Sequence, residues 1–245
     1  MYKKTHEIIQ KSALQGIIAA AAEKNAQNMF FIGHSGKIEI SIKRSTALNP
    51  RLAVMFPNDP LQHKGSIEHP VVELIYDQFV KHNFTVVKMN YRGVGKSDGK
   101  FEGGVKELIN ATLLIDWLLS NHNGRDLWSC GFSYGAWVAM QMMMRRPEVT
   151  RFLVASLPCN KHDFSFLSPC PVGGLVVHGA LDSVTPINVV KELIMKPSRQ
   201  KKNKIETKYI EGADHFFRDK RKDLEQVVEN YILRCIKEDD DMDAR

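Results

Sequence analysis

The 245-residue chain is informative first for what it lacks. It has no long hydrophobic run. Residues 16–22 are the longest candidate, far short of the roughly 18 apolar residues a membrane-spanning helix needs, so no membrane span is expected. Cysteine is scarce. Cys130, Cys159, Cys170 and Cys235 make no C-x-x-C pair and have no histidine at zinc-ligand spacing. That argues against a zinc site or a disulfide framework and for a reducing, cytoplasmic setting. Gly 16 and Pro 10 are too few for a collagen-like or low-complexity chain. Residues 91–99 are glycine-rich but lack G-x-G-x-x-G, which removes the dinucleotide-binding fingerprint. No internal repeat is present.

What remains is globular. Hydrophobic residues make up 43% and charged residues 25%, enough apolar material for a sizeable core. The formal net charge is +6, and the excess is local: residues 191–222 hold 11 Lys or Arg against 5 Asp or Glu. Within it Lys196, Arg199, Lys201, Lys202 and Lys204 lie among Pro197, Ser198, Gln200 and Asn203, which reads as a solvated loop. No aromatics interleave with these lysines, so the pattern for stacking single-stranded nucleic acid is missing. Lys3, Lys4 and Lys11 before the alanine-rich 13–22 imitate a signal peptide, but Gln15 and Gly16 break the apolar part and His6 and Glu7 spoil the lead. An amphipathic helix is expected there instead.

Downstream, strand and helix patterns alternate. Short strands are predicted at 29–32 and 38–42 about a turn at 34–36, then at 52–56, 85–89, 127–130, 152–157, 174–178 and 205–210. Helical spacing marks 69–82, 105–119, 134–144, 186–195 (with Thr185 as N-cap) and 223–236. Pro57-Asn58-Asp59-Pro60 stops the third strand. Such alternation predicts βαβ units, hence an α/β fold with one doubly wound, mostly parallel sheet of about eight strands. The expected organisation is a helical extension over 1–28, one domain over 29–237 and an acidic, solvated tail over 238–245. The longest loop, 157–173, is too short for a second domain or a large lid.

The chemistry is concentrated at strand ends. Leu127-Trp128-Ser129-Cys130 runs into Gly131-Phe132-Ser133-Tyr134-Gly135, a G-x-S-x-G pattern between a predicted strand and a predicted helix. A strand that turns at once into a helix strains its pivot residue and lifts that side chain above the sheet. Small residues two before and two after let strand and helix close together. A serine hydroxyl becomes nucleophilic only when a base takes its proton. His215 follows the last strand and is the candidate base. Asp182, in His178-Gly179-Ala180-Leu181-Asp182, follows the strand before it and is the candidate acid that would orient that base. All three lie at carboxyl ends of parallel strands, where open α/β sheets bind ligands.

These segments resemble those of the α/β-hydrolase superfamily, most of all its small bacterial members known only as predicted hydrolases. More distantly they are similar to dienelactone hydrolases and to serine peptidases of the same fold. The resemblance runs from about Phe31 to about Ile236. It rests on Asn90-Tyr91-Arg92-Gly93-Val94-Gly95-Lys96-Ser97-Asp98-Gly99, Gly131-Phe132-Ser133-Tyr134-Gly135, His178-Gly179-Ala180-Leu181-Asp182 and Gly212-Ala213-Asp214-His215-Phe216-Phe217. It implies Ser133 as nucleophile, His215 as base and Asp182 as acid. Asp163 is a rival acid, because some relatives place it after the preceding strand. Asp214 is a weaker one, because sequence neighbours usually point apart. Arg92 and Asp98 read as residues that hold their loop together.

The chain departs from the usual pattern after the third strand, where relatives carry a histidine- or glycine-rich motif and this one reads Phe56-Pro57-Asn58-Asp59-Pro60. One oxyanion donor is expected to be the N–H of Tyr134. Prolines have no N–H, so the second falls to Asn58 or Asp59, and Asn58 is preferred because a carboxylate would oppose the developing charge. With only 158–172 available for a lid, the site is expected to be open and bordered by Phe164, Phe166 and Leu167. The function expected is hydrolysis of an ester, thioester or related acyl bond. A peptidase, an acyltransferase or a non-catalytic binding protein of the same fold are the alternatives. No metal or organic cofactor is expected. The partner is a small-molecule acyl substrate, with neither nucleic acid nor membrane, and a homo-oligomer is left open.

Overall fold

The computed structural model describes residues 26–167, 170–198 and 205–243. The helical extension expected over 1–28 falls almost wholly outside them, as do 199–204 of the basic segment. Strands β1 (Gln27–Gly33) and β2 (Gly36–Lys43) form a hairpin in which Gly33 faces Gly36 across the turn. β2 pairs antiparallel with β4 (Thr85–Met89). From β4 onward every neighbour is parallel: β3 (Arg51–Phe56), β5 (Arg125–Phe132), β6 (Val149–Ala155), β7 (Gly174–Gly179) and β8 (Ile205–Ile210). The order is β1-β2-β4-β3-β5-β6-β7-β8, so the expected eight-stranded, mostly parallel sheet is present.

Helices α1 (Pro60–His63), α2 (Pro70–Lys81), α3 (Val105–Asn121), α4 (Tyr134–Arg145), α5 (Ile187–Ser198) and α6 (Arg221–Asp243) connect the strands. Strand side chains alternate between faces, and β3 shows the result. Leu52, Val54 and Phe56 join a core with Leu114 of α3 and Val138 of α4, whereas Ala53 and Met55 join a second core with Ile75 of α2 and Ile232 of α6. Both faces of the sheet are covered. Each large apolar side chain buried this way contributes about 1.5–3 kcal/mol, so two-sided burial rather than strand propensity holds the sheet in place.

Three local structures differ from expectation. The turn at 57–60 continues into the one-turn α1, because Asp59 Oδ1 accepts the N–H groups of Leu61 (2.7 Å) and Gln62 (3.1 Å) and Pro60 supplies the first position. The Thr185 hydroxyl does not cap α5. It donates to Asn160 Oδ1 at 2.9 Å, tying the loops after β6 and β7 together. Lastly, α6 runs on to Asp243, through most of the segment expected to be a solvated tail. Its last acidic residues meet arginines at the amino ends of neighbouring strands. Asp240 Oδ1 lies 2.6 Å from Arg51 Nη2 and 3.1 Å from Arg125 Nη2, and Asp239 Oδ1 lies 2.6 Å from Arg151 Nη2.

Candidate active site

β5 ends at Phe132 and α4 begins at Tyr134, so Ser133 alone makes the turn. It does so with φ 52° and ψ −118°, a conformation that side chains other than glycine seldom adopt. Bonds on either side hold it there. The Ser133 N–H donates to Ala155 O (2.9 Å), and the Ala136 N–H donates to Ser133 O (2.8 Å). The flanking glycines are needed for clearance. A Cβ at Gly131 would run into the Gly135 carbonyl, and one at Gly135 into the Phe56 carbonyl. The sequence pattern is therefore a packing requirement between strand, helix and the neighbouring β3.

The structure brings Ser133, His215 and Asp182 together. His215 Nδ1 is 2.7 Å from Asp182 Oδ2, and His215 Nε2 is 2.9 Å from Ser133 Oγ. All three are nearly sealed, with exposures of 4% for Ser133, 2% for His215 and 4% for Asp182. A carboxylate only accepts, so Nδ1 carries the imidazole proton and Nε2 is left free to accept from the serine hydroxyl. The other oxygen of Asp182 accepts the N–H groups of Val184 and Thr185, each at 2.8 Å. Burial pushes the Asp182 carboxyl up, but the bond to His215, its charge, the Thr185 amide and His178 outweigh it and hold the value below the ordinary one.

Two supporting residues carry little or no sequence signal. Ser156, just after β6, donates its hydroxyl to His215 O at 2.8 Å and so fixes the backbone behind the imidazole. His178 is wholly buried, with Nε2 2.9 Å from Thr185 O and 3.4 Å from Asp182 Oδ2. A carbonyl accepts, so the His178 proton sits on Nε2, facing the carboxylate. Burial first of all lowers its basicity and keeps it neutral. His178 stands in a segment already singled out and can be found there. Ser156 is one serine among many.

The rival acids are elsewhere. Asp163 is exposed and accepts from the Ser165 N–H (2.8 Å) and hydroxyl (2.9 Å). Asp214 Oδ1 accepts the N–H groups of Phe216 (3.1 Å) and Arg218 (3.0 Å). Asp98 accepts from the Lys37 N–H (2.8 Å), and Arg92 lies 3.5 Å from Glu102, both within the architecture of the glycine-rich loop. Asn58 is completely buried in the loop after β3. Phe56 and Gly131 are register partners, so Asn58 and Ser133 leave the sheet from the same level. The Tyr134 N–H opens α4, and among the described residues neither that backbone N–H nor the backbone N–H of Asn58 donates elsewhere, while the Asn58 side-chain amide donates to His63 O at 3.3 Å.

Among the described residues no large lid insertion covers the serine, as expected, but the space beside it is narrow. Ser133 borders a cavity of about 20 Å³, walled by Asp59, Gln62, His63, Tyr134, Pro158, Lys161, His162 and Val184. That is room for about one water. Lys161 Nζ reaches across and donates to Gln62 Oε1 at 2.7 Å, joining the loop after β6 to α1. Phe164 and Leu167, expected at the border, are packed into the core. Among the described residues no group of three or more His, Cys, Asp or Glu is placed to hold a metal, and no helix is long and apolar enough to cross a membrane.

A doubly wound sheet with a serine at its strand–helix pivot and a histidine and an aspartate in line behind it defines an α/β hydrolase. More narrowly, the chain belongs to the family described as X-Pro dipeptidyl-peptidase (S15 family), whose model matches residues 18–244. An uncharacterised protein of Rickettsia prowazekii is 40% identical over 210 residues, spanning 84% of this chain and 88% of its own. Among solved structures, a protein of unknown function from Agrobacterium tumefaciens, described as an alpha/beta hydrolase, is 34% identical with a TM-score of 0.84. The match covers 86% of this chain and 97% of that one. An alpha-beta serine hydrolase homologue from Coxiella burnetii is 25% identical with a TM-score of 0.76, covering 84% and 96%. A lid-less serine hydrolase from Xanthomonas campestris, 22% identical with a TM-score of 0.77 over 86% of this chain and 94% of its own, shares the fold.

Proposed function

We propose that the protein is a serine hydrolase that cleaves an ester, thioester or related acyl bond of a small substrate through a covalent acyl-enzyme. One observation carries this reading: the unbroken line from Ser133 Oγ through His215 to Asp182, at 2.9 and 2.7 Å. Ser133 Oγ attacks the carbonyl carbon as its proton passes to His215 Nε2. The negative oxygen that results is met by the N–H groups of Tyr134 and Asn58. Removing one such donor elsewhere costs about 10²–10³ in rate. His215 then returns the proton to the departing alcohol or thiol, the old acyl bond breaks, and Ser133 holds the acyl group. Water repeats the sequence, with His215 taking its proton and giving it back to Ser133 Oγ as the acid leaves. Asp182 stays ionised throughout and stabilises the imidazolium.

The family match favours a second reading, in which the leaving group is an amine and the bond a peptide. The chemical steps are the same, so substrate choice separates the two. Purified protein is treated with a fluorophosphonate probe, then assayed on a small p-nitrophenyl ester and on an X-Pro p-nitroanilide. The expected result is one label, on Ser133, and a higher kcat/KM on the ester. A higher value on the anilide gives the site to the peptidase reading. No label, or a label on another residue, overturns the serine mechanism altogether.

A further inference from the structure

The cavity beside Ser133 is small, about 20 Å³, and both Lys161 and Gln62 line it. The Lys161–Gln62 bond spans the mouth between elements 99 residues apart in sequence. Its chemistry is lopsided. The ammonium of Lys161 is bonded to a neutral amide, and among the described residues no carboxylate lies within ion-pair distance of it. Asp59, the carboxylate in the same wall, gives Oδ1 to the N–H groups of Leu61 and Gln62 and still acts as a charge on His63 and His162. The two wall histidines do not compete as cations. Burial above all pushes the basicity of both His63 and His162 down, with Lys161 adding to it and Asp59 opposing it.

Asp59 is the carboxylate in the cavity wall, and beyond it the charge is mainly positive. Past His63 the surface continues into a groove of about 380 Å³ bordered by Lys64, Arg218 and Arg221. Of these, Arg218 lies 3.4 Å from Asp214, while Arg221 and Lys64 have no carboxylate within ion-pair distance among the described residues. Arg218 and Arg221 belong to the strongly basic 191–222 stretch, so part of the local charge excess faces this entrance. Such a field concentrates anions at the mouth.

We propose that the substrate carries an anionic group, which Lys161 binds beside Ser133 in place of Gln62. The bond from Lys161 to Gln62 pairs a charge with a dipole, whereas an anion brings a full opposite charge to the same ammonium, an attraction that a neutral chain does not offer. The inference rests on the serine-hydrolase reading above, and it names that site's substrate class.

The test uses p-nitrophenyl esters of equal length whose acyl chains end in a methyl, a carboxylate or a trimethylammonium group. A second set places the same groups on the alcohol side and reports which half of the substrate carries the charge. The wild-type protein is expected to prefer the carboxylate over the methyl ester about tenfold or more in kcat/KM, in one set or the other, and the preference should shrink as salt is raised. Lys161→Gln should bring the ratio to within about twofold, and Lys161→Glu should move the preference to the ammonium ester. A wild-type ratio near one in both sets, with the methyl ester hydrolysed and Ser133 labelled, overturns this inference and leaves the hydrolase standing. A carboxylate preference that survives Lys161→Gln also overturns it. Inactivity on every ester together with no label on Ser133 removes the hydrolase reading, and this inference with it.

Discussion

The two ends of the parallel sheet hold similar ingredients and use them in opposite ways. At the carboxyl ends of β5, β7 and β8, Ser133, Asp182 and His215 form a line, each member nearly sealed from water. At the amino ends of β3, β5 and β6, Asp239 and Asp240 meet Arg51, Arg125 and Arg151 in a branched network that is open on one side. A carboxylate with one imidazole behind one hydroxyl can move a proton in one direction. A carboxylate shared among guanidiniums, which do not titrate, can only hold two elements together. Residue type is therefore a poor guide to chemistry. Dryness, titratable imidazoles in place of guanidiniums and a hydroxyl at the end of the line distinguish the first cluster from the second.

The sharpest way to break this contrast is to delete the reacting atom. Ser133→Ala is expected to lower kcat by about 10⁵–10⁶ on any ester the protein hydrolyses, because a serine and its base act as a unit. At the opposite end Arg151→Gln should leave kcat/KM within about twofold. A comparable loss from Arg151→Gln, measured by steady-state kinetics, would mean that the amino-end network also serves the reaction.

Next in size is the carboxylate. Asp182→Asn should cost about 10⁴ in kcat, because an amide in its place favours the wrong imidazole tautomer. Asp163→Asn, a loop carboxylate occupied with Ser165, should cost no more than a few-fold. The reverse ranking would move the acid to Asp163. The matching change at the other end, Asp239→Asn, is expected to spare kcat and lower stability by about 1–3 kcal/mol in urea titration, since it strips Arg151 and Arg51 of a shared acceptor. An unchanged midpoint would show that the network adds nothing to the docking of α6.

These contrasts also explain what could be read from the residues alone. Ser133 was legible because its strained turn demands small neighbours at fixed distances, so the requirement is written within five residues. Asp182 and His215 were legible because strand patterns end just before them, and parallel strands deliver their ends to one edge. The narrowing beside Ser133 was not legible. It depends on one side-chain bond between residues 99 apart, and neither Lys161 nor Gln62 carries a pattern. The far end of α6 failed for the same reason. Acidic residues at a chain terminus look solvated until three arginines from distant strands are placed beside them. His69 was an intermediate case. Pro70 marks a helix start, but histidine is not a usual cap, and only the geometry assigns its Nδ1 that role.

His69 also supplies the smallest effect, and pH separates the two ends by it. Its Nδ1 accepts the Val71 N–H at 3.3 Å at the start of α2, which requires an unprotonated nitrogen. Burial first, then the charge of Arg221, lowers its value to about 4. An unfolded histidine takes up a proton near 6.5. Between those two values the unfolded chain holds a proton that the folded chain refuses, so stability falls as pH drops from about 6.5 toward 4. His63, His162 and His178, all lowered first by burial, add to the same slope from the same end of the sheet, and His122 adds to it from the other. In the amino-end network Asp240 titrates later. The bond from Arg51 holds Asp240 below its ordinary value, so its contribution is fully present above the usual carboxylate range and is lost only as pH falls through that lower value. Thermal melts from pH 7 to 4 therefore report mainly on the site end. His69→Asn keeps an acceptor at the cap and removes the titration. It should flatten the decline of Tm between about pH 6.5 and 4 while leaving Tm at pH 7 nearly unchanged. A wild-type Tm that stays level to pH 4, or a slope that His69→Asn leaves untouched, would place the acid sensitivity of this fold away from its site end.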